Sequence, residues 1–369
     1  MFLKILDHTY DYWILFTSTV ISKAKLLALL LTLHFLFCNP ILVSASPTTT
    51  AVTAADLVVD RQPIDIQSTR YQLFFKELIE THHFKREKLT TLFYGVQIDK
   101  KVLQLMDKQW EAKPYYQYWP RFITPSVIKR GKRSLIKFRP LFDRIEDDFG
   151  VNREVIVAIW AIESRFGANT GHFNLFRTLN TLFDAYPRRS DFFRKELLHF
   201  LLLCKANDID PLTITGSYAG AFGQAQFMPS SFNAYAVDGD GDSKKDLIDS
   251  MPDVFGSIAN YLQAFGWILN SPVFEEIGND LHSVKLIQTY NKGRKGRIDW
   301  RYLATTQQVA IPRPPGNSEL SVVGLQLGPD KDSKIRYVAG YPNFHAITYY
   351  NHSHKYAMAV AELAAAFAK

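Results

Sequence analysis

The chain has 369 residues, 47% of them hydrophobic and 21% charged, which suits a globular protein with a large buried core and excludes a disordered one. Its formal net charge of +7 favours an anionic partner: cell-wall polymer, a membrane surface or nucleic acid. With only two cysteines, Cys38 and Cys204, the fold must rest on packing instead of a disulfide framework.

Residues 1–45 read as an export signal. Lys4, Lys23 and Lys25 oppose Asp7 and Asp11, the apolar run Leu26–Phe37 follows, and Val43-Ser44-Ala45 is a small-x-small cleavage pattern. Cleavage after Ala45 would give a soluble periplasmic form, whereas retention of Tyr10–Ile21 would leave a membrane anchor. Cys38 follows Leu36-Phe37 where a lipoprotein signal needs small residues, which argues against lipidation. Export argues against a nucleic-acid partner. It also leaves Cys204 without an internal partner, and the mature chain keeps +6 because the leader carries +1.

Residues 46–65, rich in Ser, Thr, Ala and Pro, read as a tether, and 66–369 as one catalytic domain, expected to be a monomer. The pattern up to about Phe265 is mainly helical, with helices predicted at Gln72–Glu80, Arg139–Phe149, Arg153–Phe166, Ser190–Asn207 and Asp253–Phe265. Pro312-Arg-Pro-Pro-Gly316 breaks this pattern. Short strands are predicted at Leu320–Leu327 and Ile335–Val338, followed by a closing helix Tyr356–Ala368. The expected fold class is mainly α, with a small C-terminal β element. No internal repeat and no membrane-spanning segment follow the leader.

The most informative segment is Ala161-Ile-Glu-Ser-Arg-Phe-Gly167. Val155–Ile162 is apolar on every face, as in a helix that crosses a core, with Asn152 placed to cap its start and Gly167 to end it. Glu163 then lies near the helix C-terminus, where the macrodipole and a low dielectric both disfavour a charged carboxylate. That makes Glu163 a candidate general acid with a raised pKa. The ordinary alternative is a Glu paired with Arg165.

Three further segments join it: Tyr186-Pro-Arg-Arg-Ser-Asp-Phe-Phe193, Gly216-Ser-Tyr-Ala-Gly-Ala-Phe-Gly-Gln-Ala-Gln-Phe-Met-Pro-Ser-Ser231 and Ile347-Thr-Tyr-Tyr-Asn-His352. With the Glu163 helix end, these resemble the membrane-bound lytic murein transglycosylase B family from about Ile66 to the C-terminus. The resemblance implies a lysozyme-like α+β fold that cleaves the β-1,4 bond between N-acetylmuramic acid and N-acetylglucosamine and releases 1,6-anhydromuramyl products in cell-wall turnover. By it, Glu163 is the sole catalytic acid and base. Ser217 and Gln226 bind the substrate N-acetyl group and the reacting sugar, and Arg188 and Arg189 face the muramyl peptide and glycan. Tyr118, Tyr261, Tyr350, Asn351 and Tyr356 complete the substrate cleft. No cofactor is expected for the chemistry. Peptidoglycan is the implied partner, with cell-wall synthesis or division proteins as further candidates.

Asp238-Gly-Asp-Gly-Asp-Ser-Lys-Lys-Asp-Leu-Ile-Asp249 has the spacing of an EF-hand-like calcium loop: Asp238, Asp240, Asp242, Asp246 and Asp249 as side-chain ligands and the Lys244 carbonyl at position 7. Ser243 replaces the usual glycine and Asp249 the usual glutamate, so a weak or structural calcium site, or a sodium site, is expected. The loop falls where the family carries its own metal loop.

Two other functions remain open from the sequence. A hydrolytic muramidase would need a second carboxylate facing Glu163. A non-catalytic peptidoglycan-binding protein would have no need of an acid in an apolar pocket.

Overall fold

A computed structural model describes residues 52–107, 113–316, 319–330 and 334–369. The predicted export signal therefore lies outside the described residues. Within residues 52–65, read as tether, a short helix Ala54–Leu57 forms, and residues 61–64 hydrogen-bond to residues 96–98. Ala55 and Ile64 are buried. Order therefore begins before Ile66, because these apolar side chains find a surface to pack on.

Helices dominate, and most of the predicted ones are present: Thr69–Glu80, Arg139–Phe149, Ser190–Ala206, Met251–Ala264 and the closing His354–Ala368. The centre of the fold is the helix Arg153–Ser164. Its residues from Val155 to Ala161 are all buried, as an all-round apolar sequence requires. It packs on His354–Ala368, Pro125–Lys137 and Met251–Ala264. Against expectation, Asn152 does not cap this helix. Its side chain bonds Asn270 and Trp267 instead, while Glu146 Oε1 accepts from the Arg153 N–H at 2.8 Å.

The C-terminal strands form an antiparallel sheet ordered Phe274–Gly278, Ile335–Gly340, Glu319–Gln326 and Ile298–Asp299. Leu320 and Val322 pack into a small second core with Ile277, Leu286, Leu303 and Tyr341, while Val323 and Leu325 face the main core. Both faces of this strand are covered, so its sequence is apolar without alternation. A second ladder pairs Phe173–Asn174 with Thr215–Gly216 and ties the exit of the central helix to the glycine-rich segment. Among the described residues no helix is long and apolar enough to cross a membrane.

Candidate active site

Glu163 stands half-buried on the last turn of the central helix. The helix was expected to run to Phe166, but it ends at Ser164. Arg165 (φ 52°), Phe166 (φ 60°) and Gly167 (φ 80°) are consecutive left-handed residues. For the first two this is a costly conformation that surrounding contacts must hold. Ser164 Oγ donates to Trp160 O at 3.1 Å and accepts from Gly167 N at 3.0 Å. The Phe166 ring meets Trp160 edge-on at 5.1 Å and lies under the Arg130 guanidinium at 4.7 Å. The carboxylate is thus carried on a rigid helix end.

The closing helix supplies its partner. Tyr356, 2% exposed, donates its hydroxyl to Glu163 Oε1 at 2.5 Å. Burial, then the neighbouring charge of Glu163, push the Tyr356 phenol well above its ordinary range, so it stays a donor. Tyr350 is raised by the same two causes, and its hydroxyl donates to Ala225 O at 2.6 Å. Its ring lies 4.9 Å from Tyr261 and 5.7 Å from Phe227, and Tyr261 donates to Tyr349 O at 2.8 Å. Three of the tyrosines singled out in the sequence therefore surround Glu163 and the segment before Gln226. Tyr118 is buried against Phe122 and is among the groups that raise Tyr356, which places it on the same side. Asn351 terminates the helix Pro342–Tyr350, and its carbonyl accepts from Ser353 N at 2.7 Å.

The Gly216–Ser231 segment folds back on itself beside the central helix. Ser217 accepts from Ala221 N through Oγ at 3.1 Å, and its own N–H donates to Ala221 O at 2.7 Å. Gly171 (φ 94°) is required opposite it, since a Cβ there would lie 2.1 Å from the Gly216 carbonyl. Gln226, itself left-handed at φ 50°, donates to Thr170 O and Gly223 O, both at 2.9 Å. Sequence reasoning gave Gln224 no role. Its Oε1 accepts from Trp160 Nε1 at 2.8 Å, and its amide donates to Ile248 O at 2.7 Å. The Gln-Ala-Gln repeat was the available signal, because two amides in one tight turn have to be satisfied by separate partners.

Arg188 and Arg189 are used locally. Arg188 pairs with Asp107 at 2.8 Å and bonds the Tyr186 hydroxyl at 2.8 Å, and Arg189 lies over the Phe192 ring at 4.2 Å. Burial, then Arg294 and Arg189, lower the His352 imidazole, which puts Arg189 near the Tyr350-Asn351 segment.

In the acidic loop, Asp238, Asp240 and Asp253 bring carboxylate oxygens within 4.8 Å of one another. Asp253, buried on the helix Met251–Ala264, lies beyond the twelve-residue pattern and was not foreseen. The carboxylates of this loop also accept backbone N–H groups, Asp238 from Gly241 and Ser243, Asp242 from Lys244, and Asp246 from Ile248 and Asp249, while Asp249 is exposed. Ser243 takes φ 69°, the left-handed conformation for which such loops use glycine. An all-oxygen carboxylate set of this kind fits a hard cation such as calcium.

The model of the transglycosylase SLT domain matches residues 67–365. Over 308 residues the chain is 34% identical to the membrane-bound lytic murein transglycosylase B of Escherichia coli (strain K12), covering 80% of this chain and 82% of that protein. It is similar to the Escherichia coli lytic transglycosylase Slt35 solved in complex with calcium, with a TM-score of 0.72, 33% identity, and 84% and 96% of the two chains covered. It is also similar to SltB3 from Pseudomonas aeruginosa solved in complex with NAG-NAM-pentapeptide, with a TM-score of 0.69, 28% identity, and 80% and 78% covered. By these matches the chain belongs to the transglycosylase SLT domain family, as a lytic transglycosylase.

Proposed function

We propose that Glu163 performs both proton transfers in cleaving the β-1,4 bond between N-acetylmuramic acid and N-acetylglucosamine of peptidoglycan. Glu163 enters protonated and gives its proton to the glycosidic oxygen as the C1–O bond breaks. The muramyl C6 hydroxyl then bonds to C1, and its proton passes to the Glu163 carboxylate. The product is a 1,6-anhydro ring, no water is consumed, and the enzyme returns to its starting state. An intramolecular nucleophile can contribute an effective molarity of about 10⁵–10⁸ M, and a placed acid about 10²–10⁴-fold. One carboxylate is therefore sufficient.

The observation that carries this reading is the 2.5 Å hydrogen bond from Tyr356 to Glu163. That donor orients the carboxylic acid and strengthens as charge appears on it. Ser217 and Gln226 are assigned to the substrate N-acetyl group and reacting sugar, and Tyr118, Tyr261, Tyr350 and Asn351 to the sugar faces and hydroxyls. Arg189 is assigned to the muramyl peptide and glycan, and Arg188 to the same partner once it leaves Asp107.

Asp238, Asp240 and Asp253 are the residues that would hold a structural calcium ion, with sodium as the weaker alternative. When bound, the ion would offset part of the loop's negative charge and fix the backbone that Gln224 holds. A leader cleaved after Ala45 would place the enzyme in the periplasm, with residues 66–369 as its catalytic unit.

The test is mass spectrometry of muropeptides released from purified peptidoglycan by the chain lacking residues 1–45, beside Glu163→Gln. Anhydromuramyl products that vanish in the variant are expected. Reducing-end products would make water the acceptor, and an unchanged rate in Glu163→Gln would remove the assignment of the acid.

A further inference from the structure

One helix carries a dense run of positive charge. Pro125–Lys137 carries Lys129, Arg130, Lys132, Arg133 and Lys137 and no acid, so no carboxylate one turn away offsets their repulsion. Arg130 and Arg133 line a concave cavity of about 560 Å³, whose opposite wall includes Ile162 and Arg165 at the end of the central helix. Arg121 adds a fourth guanidinium, and among the described residues no carboxylate lines the cavity. Among the described residues, no ion pair includes Arg130, Arg133 or Arg165. Arg130 is held in place, since its guanidinium lies over the Phe166 ring and donates to Phe166 O at 3.3 Å. The like charges of Arg130, Arg133 and Arg165 oppose folding where they gather, and their planar forks are suited to carboxylates.

We propose that this cavity is a second substrate site, which takes the carboxylate end of a peptide stem carried by the glycan strand. The inference rests on the peptidoglycan reading of Glu163. Position supports it: Ile162 and Arg165 flank Glu163 in sequence at the end of the central helix, and a five-residue stem reaches about 17 Å. A stem on a sugar at or next to the reacting bond can therefore span the helix end. Shape favours a peptide terminus over a lipid surface, because the arginines line a hollow that admits one chain end, not a plane of headgroups.

Kinetics on two substrates test it: glycan strands bearing pentapeptide stems, and the same strands stripped of stems by an amidase. Arg133→Glu is expected to lower kcat/KM about ten-fold on stem-bearing strands, through KM, while leaving stripped strands unaffected. Lys129→Glu makes the same charge change on the same helix outside the cavity, and should leave both substrates unaffected. Equal losses on both substrates, or equal losses from the two variants, would overturn the site in favour of a disturbed fold or a general attraction. Loss of binding to phosphatidylglycerol vesicles in Arg133→Glu, with stem-dependent kinetics intact, would assign the arginines to a membrane and overturn it as well. Turnover of stripped strands by the unaltered chain reports on Glu163 independently, so failure of one reading is distinguishable from failure of the other.

Discussion

Trp160 on the central helix and Gln224 in the glycine-rich segment are joined by a 2.8 Å hydrogen bond from the indole N–H to the amide oxygen. The same amide donates to Ile248 in the acidic loop, and a Cβ on Gly167 would lie 2.3 Å from its oxygen. One side chain thus links three segments around Glu163. Gln224→Leu would strand the Trp160 N–H without an acceptor, a cost of about 1–3 kcal/mol. Thermal melting should fall by several degrees and muropeptide release should fall with it. A variant with both unchanged would mean the amide is incidental.

Tyr356→Phe removes only the hydroxyl that meets Glu163. Its ring stays buried, so the fold should tolerate the change, but the acid loses its positioning donor. We expect a drop in kcat of about ten- to a hundred-fold with KM little altered, measured by release of anhydromuropeptides. A kcat equal to that of the parent chain would show that Glu163 is held by other contacts.

The acidic loop predicts a calcium response that depends on Asp253 and not on Asp249. At a hundred-fold excess over its Kd, an ion bound only to the folded chain stabilises it by about 2.7 kcal/mol. Melting in calcium against a chelator should show a rise that Asp253→Asn abolishes and Asp249→Asn retains. The reverse pattern would restore the twelve-residue loop read from the sequence.

His345 and His354 predict how the fold responds to acid. Burial first, then Arg297 and His354, lower His345 to about 3, and burial first, then Arg294 and Arg297, lower His354 to about 4. The unfolded chain binds these protons nearer pH 6.5, so it takes up more of them than the folded chain between those values. Stability from the neutral histidines is present above about pH 6.5 and declines as pH falls toward 3. Melting temperatures should drop through that window, with a shallower slope in His345→Gln. An identical slope in the variant would locate the acid sensitivity elsewhere.

Cys204 offers a simple check on the core. Burial, helped by Asp210, raises its thiol to about 12, so little thiolate forms near neutrality. The folded chain should resist iodoacetamide at pH 8 and react once denatured, and rapid labelling of the folded chain would contradict its burial.

The sequence made the central helix legible because its apolar residues leave no face for solvent, and it made Glu163, Tyr350 and Tyr356 legible through the family motifs. It did not reveal where that helix stops. Arg165 and Phe166 are ordinary helix residues by propensity, and their left-handed backbone is held by Trp160 and Arg130, which are distant or aromatic contacts that no local pattern encodes. Asp253 escaped for a related reason: it belongs to the next helix and reaches the acidic loop only after the chain turns. The helices Val284–Asn291 and Trp300–Gln307 were not foreseen either, since each has just one short apolar edge against the small second core.

Glu163 and the Tyr356 hydroxyl that meets it lie 193 residues apart, on the central and the closing helix. The acid therefore meets its donor only where these two helices pack on each other. A chain in which that packing is loosened keeps the acid but loses the donor that aims it, so the geometry of the acid reports on the packing of the core.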